Sequence, residues 1–248
     1  MQNYNASANA LDQKTILVTG AGDGIGRVAA LTYAKHGATV ILLGKTTKKL
    51  EAVYDEIVAA GYPQPAIVPL DLKGATKQNY RDLAATIEQQ FGKLDGLLNN
   101  ASILGSLGPL EHFCSSTFES IMKVNVTAQA LLTKAMFPVL RKAPHASIIF
   151  TSSGVGREGR EFWGAYSISK FATEGMMQTW SKEVGKTNIR INCINPGATR
   201  TSMRASAFPG EDRDKLATPE DLMPTYLYLM SDDSIEVNGQ SLDAQTKK

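Results

Sequence analysis

Short apolar runs rich in β-branched residues alternate with helical stripes along nearly the whole chain, and this alternation constrains the fold more than any other feature. Thr15–Thr19, Ala38–Leu43, Ala66–Leu70, Leu94–Leu98, Ser147–Thr151 and Asn188–Ile194 read as strands. Ala38–Leu43 is apolar on both faces, as a central parallel strand must be. Between the runs, apolar residues recur at helical spacing: Ile25, Ala29, Ala30, Tyr33 and Ala34, then Leu50, Val53, Tyr54, Ile57 and Val58, then Tyr80, Leu83, Ala84, Ile87 and Phe91. A long helical region covers roughly 118–140, a further helix carries Phe171, Ala172, Met176 and Trp180, and Pro219 opens a last one through Leu222, Tyr226, Leu227 and Leu229. Gln240–Asp243 is a short final strand. The βαβα order implies an α/β protein, a doubly wound parallel sheet with helices on both faces. No repeat or linker divides the chain, so residues 14–248 are expected to form one domain behind a loose polar tail at 1–13.

At 248 residues with 43% hydrophobic content, the chain has ample material for one core. Its net charge of +2 gives no electrostatic reason to expect nucleic acid or an anionic membrane as partner. Cys114 and Cys193 cannot build a disulfide framework, and His36, His112 and His145 match no metal-ligand spacing. No apolar window is long enough to span a bilayer, and the N-terminus lacks a charged and apolar leader pattern. A cytoplasmic protein without a bound metal is the expectation.

Gly20-x-x-x-Gly24-x-Gly26 lies between the first strand and the first helix, where a phosphate cradle belongs. Glycines let backbone approach a diphosphate, and the helix N-terminus offers free amides and partial positive charge. Gly44-Lys-Thr46 is not a triphosphate loop, because Thr39 stands where that loop needs glycine. The second strand ends without an acid, and Lys45 follows, with Lys48 and Lys49 nearby. A carboxylate there would accept from ribose hydroxyls and a cation would pair with a 2′-phosphate, so NADP(H) is favoured over NAD(H). Asp23, inside the glycine turn, opposes a phosphate.

The richest stretch runs from Ser152 to Lys170. Tyr166 and Lys170 are four apart on a helix, hence on one face, and Ser153 is delivered from a strand end. A phenol has a pKa near 10, and a neighbouring ammonium favours the phenolate. Tyr166 then serves as general acid towards a carbonyl or base towards an alcohol, while Ser153 donates to the oxygen on which charge develops. No Gly-x-Ser-x-Gly elbow surrounds Ser153 and no well-placed histidine follows it, which sets a serine hydrolase aside.

Thr19-Gly-x-x-x-Gly-Ile-Gly26, Asn99-Asn-Ala101, Asn125, Ser153, Tyr166-x-x-x-Lys170 and Pro196-Gly197 stand in the order and spacing of the short-chain dehydrogenase/reductase family, which the chain resembles over nearly its whole length. Several further runs, among them Lys170-Phe-Ala-Thr-Glu-Gly-Met-Met177, resemble its bacterial YciK-like subgroup. The resemblance implies a three-layer Rossmann fold with a mostly parallel sheet, and interconversion of a carbonyl and a secondary alcohol. It implies that Asn125, Ser153, Tyr166 and Lys170 are catalytic, Lys170 also holding the nicotinamide ribose and Asn125 a water that links Lys170 to solvent. Gly20, Asp23, Gly24, Ile25, Gly26 and Lys45 would hold the diphosphate and ribose. Asp71 and Leu72 would bracket the adenine, and Asn99 and Ala101 would line the adenosine side. Pro196, Gly197, Thr199 and Thr201 would surround the nicotinamide amide.

Two departures stand out. Ser102 replaces the glycine of Asn-Asn-Ala-Gly, and the C-terminal strand keeps only part of its usual pattern, which weakens the basis for a tetramer against a dimer. A homodimer or homotetramer acting on a small carbonyl or alcohol is the expectation; the alternative is a non-catalytic dinucleotide sensor or scaffold on the same fold. Arg157, Arg160, Arg200 and Arg204 are placed near the substrate mouth, either recognising an anionic substrate or paired with Glu158, Glu161 and Glu211. The polar segment 200–217 reads as mobile and suited to a lid.

Overall fold

The computed structural model describes residues 4–246. Its strands are β1 (Thr15–Thr19), β2 (Thr39–Gly44), β3 (Ala66–Pro69), β4 (Gly96–Asn99), β5 (Ala146–Thr151), β6 (Ile189–Asn195) and β7 (Ser241–Asp243). They form one sheet in the order β3-β2-β1-β4-β5-β6-β7, and every pairing is parallel. The strands connect through α1 (Gly24–Lys35), α2 (Thr47–Ala59), α3 (Lys77–Phe91), α4 (Ser115–Met122), α5 (Gln129–Leu140), α6 (Gly164–Glu183), α7 (Ser202–Ala207) and α8 (Met223–Met230).

Parallel strands joined by helical crossovers are covered on both faces, so alternate residues of one strand serve different cores. In β1, Leu17 joins the core under α3, α5 and α6, while Ile16 and Val18 join the core under α1, α2 and α8. Tyr33, Tyr226 and Leu42 are fully buried in the second core and Phe150 and Leu132 in the first. Burying a large apolar side chain contributes about 1.5–3 kcal/mol, so these two layers dominate the folding free energy.

The expected loose tail is corrected for its described part. Leu11 is fully buried in the second core, and its N–H donates to the His36 carbonyl at 3.0 Å. The Tyr4 ring meets Tyr228 edge-on at 5.2 Å, and its hydroxyl donates to Asp233 at 2.6 Å. Apolar contacts offset the ordering entropy of what reads as a polar arm. Residues 1–3 of that expected tail lie outside the described residues.

The long helix expected over 118–140 is interrupted by a π-helical turn, Lys123–Ala128, between α4 and α5. The segment 200–217 is also more ordered than its polarity suggests. Its neck is closed by a bridge between Thr199 and Ala217, with the Arg200 N–H donating to the Ala217 carbonyl at 2.8 Å. Inside it, Arg204 forms a two-pronged pair with Glu211 at 2.6 and 2.5 Å and lies 3.9 Å over the Phe208 ring.

Candidate active site

The strand order reverses between β1 and β4, so the loops leaving their carboxyl ends diverge and open a crevice. A cleft of about 620 Å³ follows it, from the glycine turn after β1 to the start of α6.

At the glycine turn, Gly20 (φ +68°) and Gly24 (φ +51°) take left-handed conformations that side chains disfavour. A Cβ on Gly26 would fall on the Gly20 carbonyl, so Gly26 does not face the cleft but lets α1 start directly beneath the turn. Gly20, Asp23, Gly24 and Ile25 line the cleft. The Asp23 carboxylate caps α1 by accepting from the Gly24 N–H at 2.7 Å, and its other oxygen accepts from Lys49 Nζ at 2.5 Å. The Lys49 hydrogen bond, more than any other influence, holds the Asp23 carboxyl below its ordinary range. The negative charge that opposed a phosphate in the sequence is thus paired with a lysine from α2. Lys45, Thr46, Asp71, Leu72 and Lys73 line the same end.

At the other end stand Ser153, Tyr166 and Lys170, with Trp163 beside them. Ser153 follows β5 and precedes a short 3-10 turn, Gly154–Gly156. A Cβ on Gly156 would come within 2.8 Å of the Lys170 backbone, so only glycine lets this turn seat on α6. Ser167 Oγ locks it by donating to the Val155 carbonyl at 2.6 Å. Lys170 Nζ is buried, donates to the Thr151 carbonyl at 2.7 Å and lies 5.5 Å from the centroid of the Tyr166 ring.

The expectation of an acidic phenol is corrected for the protein alone. Burial pushes Tyr166 up to about 12, outweighing the Ser153 and Ser102 hydroxyls, which lower it. Burial likewise brings Lys170 down to about 8, against the raising influence of Cys193 and Glu174. Desolvation disfavours either group's charged form, and here it exceeds the attraction expected between them.

The remaining sequence candidates divide. Ala101, Pro196, Gly197, Thr199 and Thr201 line the cleft. Asn99 does not: it is fully buried and donates to Thr133 Oγ1 at 3.0 Å on the far side of β4. Its neighbour Asn100 takes the crevice position, with its N–H donating to Thr19 Oγ1 at 2.9 Å and its Nδ2 to the Thr19 carbonyl at 3.2 Å. Asn125 also lies behind the cleft, within the π turn. Its Oδ1 accepts from the Ile103 N–H at 2.9 Å, and its Nδ2 donates to the Ile103 carbonyl at 2.9 Å and to Ser169 Oγ at 3.0 Å. It fixes the loop after β4 against α6 and makes no direct bond to Lys170.

Of the four arginines expected near the mouth, Arg204 alone lines the cleft. Arg157 is drawn to β7, pairing with Asp243 at 2.6 Å and lying 3.6 Å from Glu174. Arg200 lies 3.4 Å from Asp214, and Arg204, which lines the cleft, is held by Glu211. Trp163 and Gln245 are not among the residues the sequence singles out, while Lys49 enters only as a nearby cation and Asn100 only as the middle of the Asn99–Ala101 motif. Gln245 Nε2 donates to the carbonyls of Pro196 at 2.7 Å and Ala198 at 2.9 Å, pinning the loop after β6. Among the described residues, no helix is long and apolar enough to cross a membrane.

The family model described as short chain dehydrogenase matches residues 14–212. The chain is 50% identical over 242 residues to the uncharacterized oxidoreductase YciK of Escherichia coli K12, covering 98% of this chain and 96% of that one. A short chain dehydrogenase structure from Shigella flexneri 2a, complexed with NADP, superposes with a TM-score of 0.95 at 50% identity, covering 97% of this chain and all of that one (100%). A counterpart from Escherichia coli CFT073, complexed with NADPH, gives the same TM-score of 0.95, identity of 50% and coverage of 97% and 100%. Sequence, sheet order and crevice therefore agree: the chain belongs to the short-chain dehydrogenase/reductase family of oxidoreductases.

Proposed function

We propose that this protein interconverts a carbonyl compound and a secondary alcohol, using NADP(H) in preference to NAD(H), with Tyr166 as the proton donor and acceptor. The observation that carries the reading is a single cleft with a glycine cradle at one end and the Ser153, Tyr166 and Lys170 side chains at the other.

The cradle fits a dinucleotide. A Cβ on Gly20 would come 3.1 Å from Ala101 Cα and one on Gly22 2.8 Å from Lys49 Cβ, so only glycines let this turn seat against the loop after β4 and against α2 and form the cleft wall with bare backbone. The α1 amides and Lys49 suit a diphosphate, Lys45 and Thr46 a 2′-phosphate, and Asp71 and Leu72 an adenine edge. Support for NADP(H) also comes from the relatives crystallised with NADP and NADPH. The bound cofactor supplies the hydride; the protein supplies position and proton. Pro196, Gly197, Thr199 and Thr201 would hold the dinucleotide's nicotinamide half in the crevice, and Ala101 would line its adenosine side. Ser153 donates to the substrate oxygen as charge builds on it, and Tyr166 delivers the proton. Lys170 stabilises the phenolate left behind, and Asn125 positions the loop carrying Ser102 and Ile103.

The substrate end is lined by Ile103, Leu104, Trp163, Met203 and Ala207, with Arg204 already neutralised by Glu211. A neutral, apolar carbonyl compound suits this lining better than an acid. Ile168 and Phe171, three apart on α6, are exposed, and this apolar pair supports a homodimer. Two free thiols, Cys114 and Cys193, support a reducing compartment such as the cytoplasm.

Fluorescence titration with NADPH and NADH, followed by a panel of matched neutral and acidic ketones, tests the reading. Tighter NADPH binding with NADPH consumed by neutral ketones is expected. Tight binding with no consumption across the panel would instead indicate a dinucleotide sensor.

A further inference from the structure

The loop leaving β4 holds one side chain to its place with unusual thoroughness. On one side of Ser102, the Ala101 N–H donates to Thr19 Oγ1 at 3.0 Å and its carbonyl accepts from Gln129 Nε2 at 3.0 Å. On the other, both backbone groups of Ile103 are bonded to the Asn125 amide at 2.9 Å. Thr19, Gln129 and Asn125 are themselves buried. With its backbone fixed from both directions, Ser102 retains only its χ1 rotamers.

The Ser102 hydroxyl faces the cleft, is buried, and closes no hydrogen bond of ordinary geometry. A buried hydroxyl without a partner is costly and calls for a reason. Ser102 and Tyr166 line the same cleft, and the Ser102 hydroxyl acts on the phenol in the same direction as Ser153. Two hydroxyls carried by different strand ends, Ser153 after β5 and Ser102 after β4, thus share the cleft with the phenol and favour its charged form. Other titratable groups around it are Lys170, one turn along α6, and Tyr226 from α8; Glu174 acts on Lys170, and Cys193 acts on both Lys170 and Tyr226.

We propose that Ser102 is a further catalytic residue, donating a hydrogen bond to the Tyr166 phenol oxygen when that oxygen carries negative charge. The bond closes as the phenolate forms, so the cost of the unpartnered hydroxyl is relieved only in the reactive state. The residue that sequence comparison marks as a departure, serine in place of glycine, thus adds a donor where the family motif has none. The inference rests on Tyr166 being the proton-transfer group.

Ultraviolet difference titration of tyrosine ionisation in the NADP⁺ complex tests it without a known substrate, with Tyr166→Phe as the blank. In Ser102→Ala and Ser102→Gly the Tyr166 midpoint should rise by about one unit, the effect of losing one hydrogen bond to the charged form. Ser102→Thr, which keeps the hydroxyl, should return the midpoint to the wild-type value. NADPH affinity should change less than about twofold in all three, since the hydroxyl acts on the phenol and not on the cradle. Equal midpoints in wild type and Ser102→Ala would overturn the role of Ser102 while leaving Tyr166 in place. A blank indistinguishable from wild type would overturn the reading of Tyr166 itself, and this inference with it.

Discussion

The Lys170 ammonium donates to the Thr151 carbonyl at 2.7 Å, so the charge on α6 is anchored to the end of β5 rather than left free beside the phenol. Burial lowers Lys170 from 10.5 to about 8. Between those values the unfolded chain holds a proton that the folded one has released, so stability rises with pH across that window. Below about pH 8 both states are protonated and the gain is absent. Wild type should therefore gain about 2–3 kcal/mol on Lys170→Met between pH 8 and 10.5. Urea unfolding of both proteins across that range measures the difference; parallel stability curves would show that Lys170 titrates normally.

Asp23 and Lys49 form a pair at the mouth of the cradle, each side chain about half exposed. Exposed pairs contribute little to folding, so Lys49→Met should leave the unfolding midpoint almost unchanged. Its effect belongs to binding, because the variant leaves the Asp23 charge facing the cofactor's phosphates. We expect NADPH affinity to fall roughly tenfold, an amount typical of a charge-assisted contact. Adding Asp23→Asn should restore part of it, and a titration of the double variant no tighter than the single one would remove the pair from the binding account.

Gln245 holds the Pro196–Thr199 loop through bonds to two carbonyls. Gln245→Ala frees that loop without opening the core. NADPH affinity should weaken about three- to tenfold, the value of one to two neutral hydrogen bonds. Thermal unfolding of the variant without cofactor should stay within a few degrees of wild type, at about 2–4 °C per kcal/mol for a domain of this size. An unchanged affinity would mean that the loop is set by Asn195 and Thr199 alone.

Much of this architecture is written in residue patterns that act locally. Strands buried on both faces are continuous apolar runs, as Thr39–Gly44 illustrates, and glycines after β1 mark the cradle because only they fit it. Where reading by pattern fell short, a non-local partner intervened. The fourth strand starts at Gly96 rather than Leu94, whose N–H bonds to Val139 of α5 instead of a neighbouring strand. Asn99 and Asn100 are adjacent and chemically identical, but strand alternation sends the first towards Thr133 and leaves the second at the crevice. The π turn around Asn125 had one signal, a polar residue inside an apolar helix. For Arg157 the sequence left substrate recognition and ion pairing open, because its partner Asp243 lies far along the chain and meets it only once β7 has paired with β6. The phenol's acidity was misjudged for a related reason: spacing on α6 brings the lysine near, but it does not report how deeply both groups are buried.

The most direct measurement is the turnover of Tyr166→Phe against its NADPH affinity. Loss of the hydroxyl removes the proton donor but almost none of the cleft's shape, so the rate of NADPH oxidation should drop by at least about 10²–10⁴-fold, the usual scale of general acid–base catalysis. NADPH affinity should stay within about twofold, because the phenol acts on the substrate oxygen and not on the cradle. A variant that binds NADPH normally and consumes it at the wild-type rate would contradict the account.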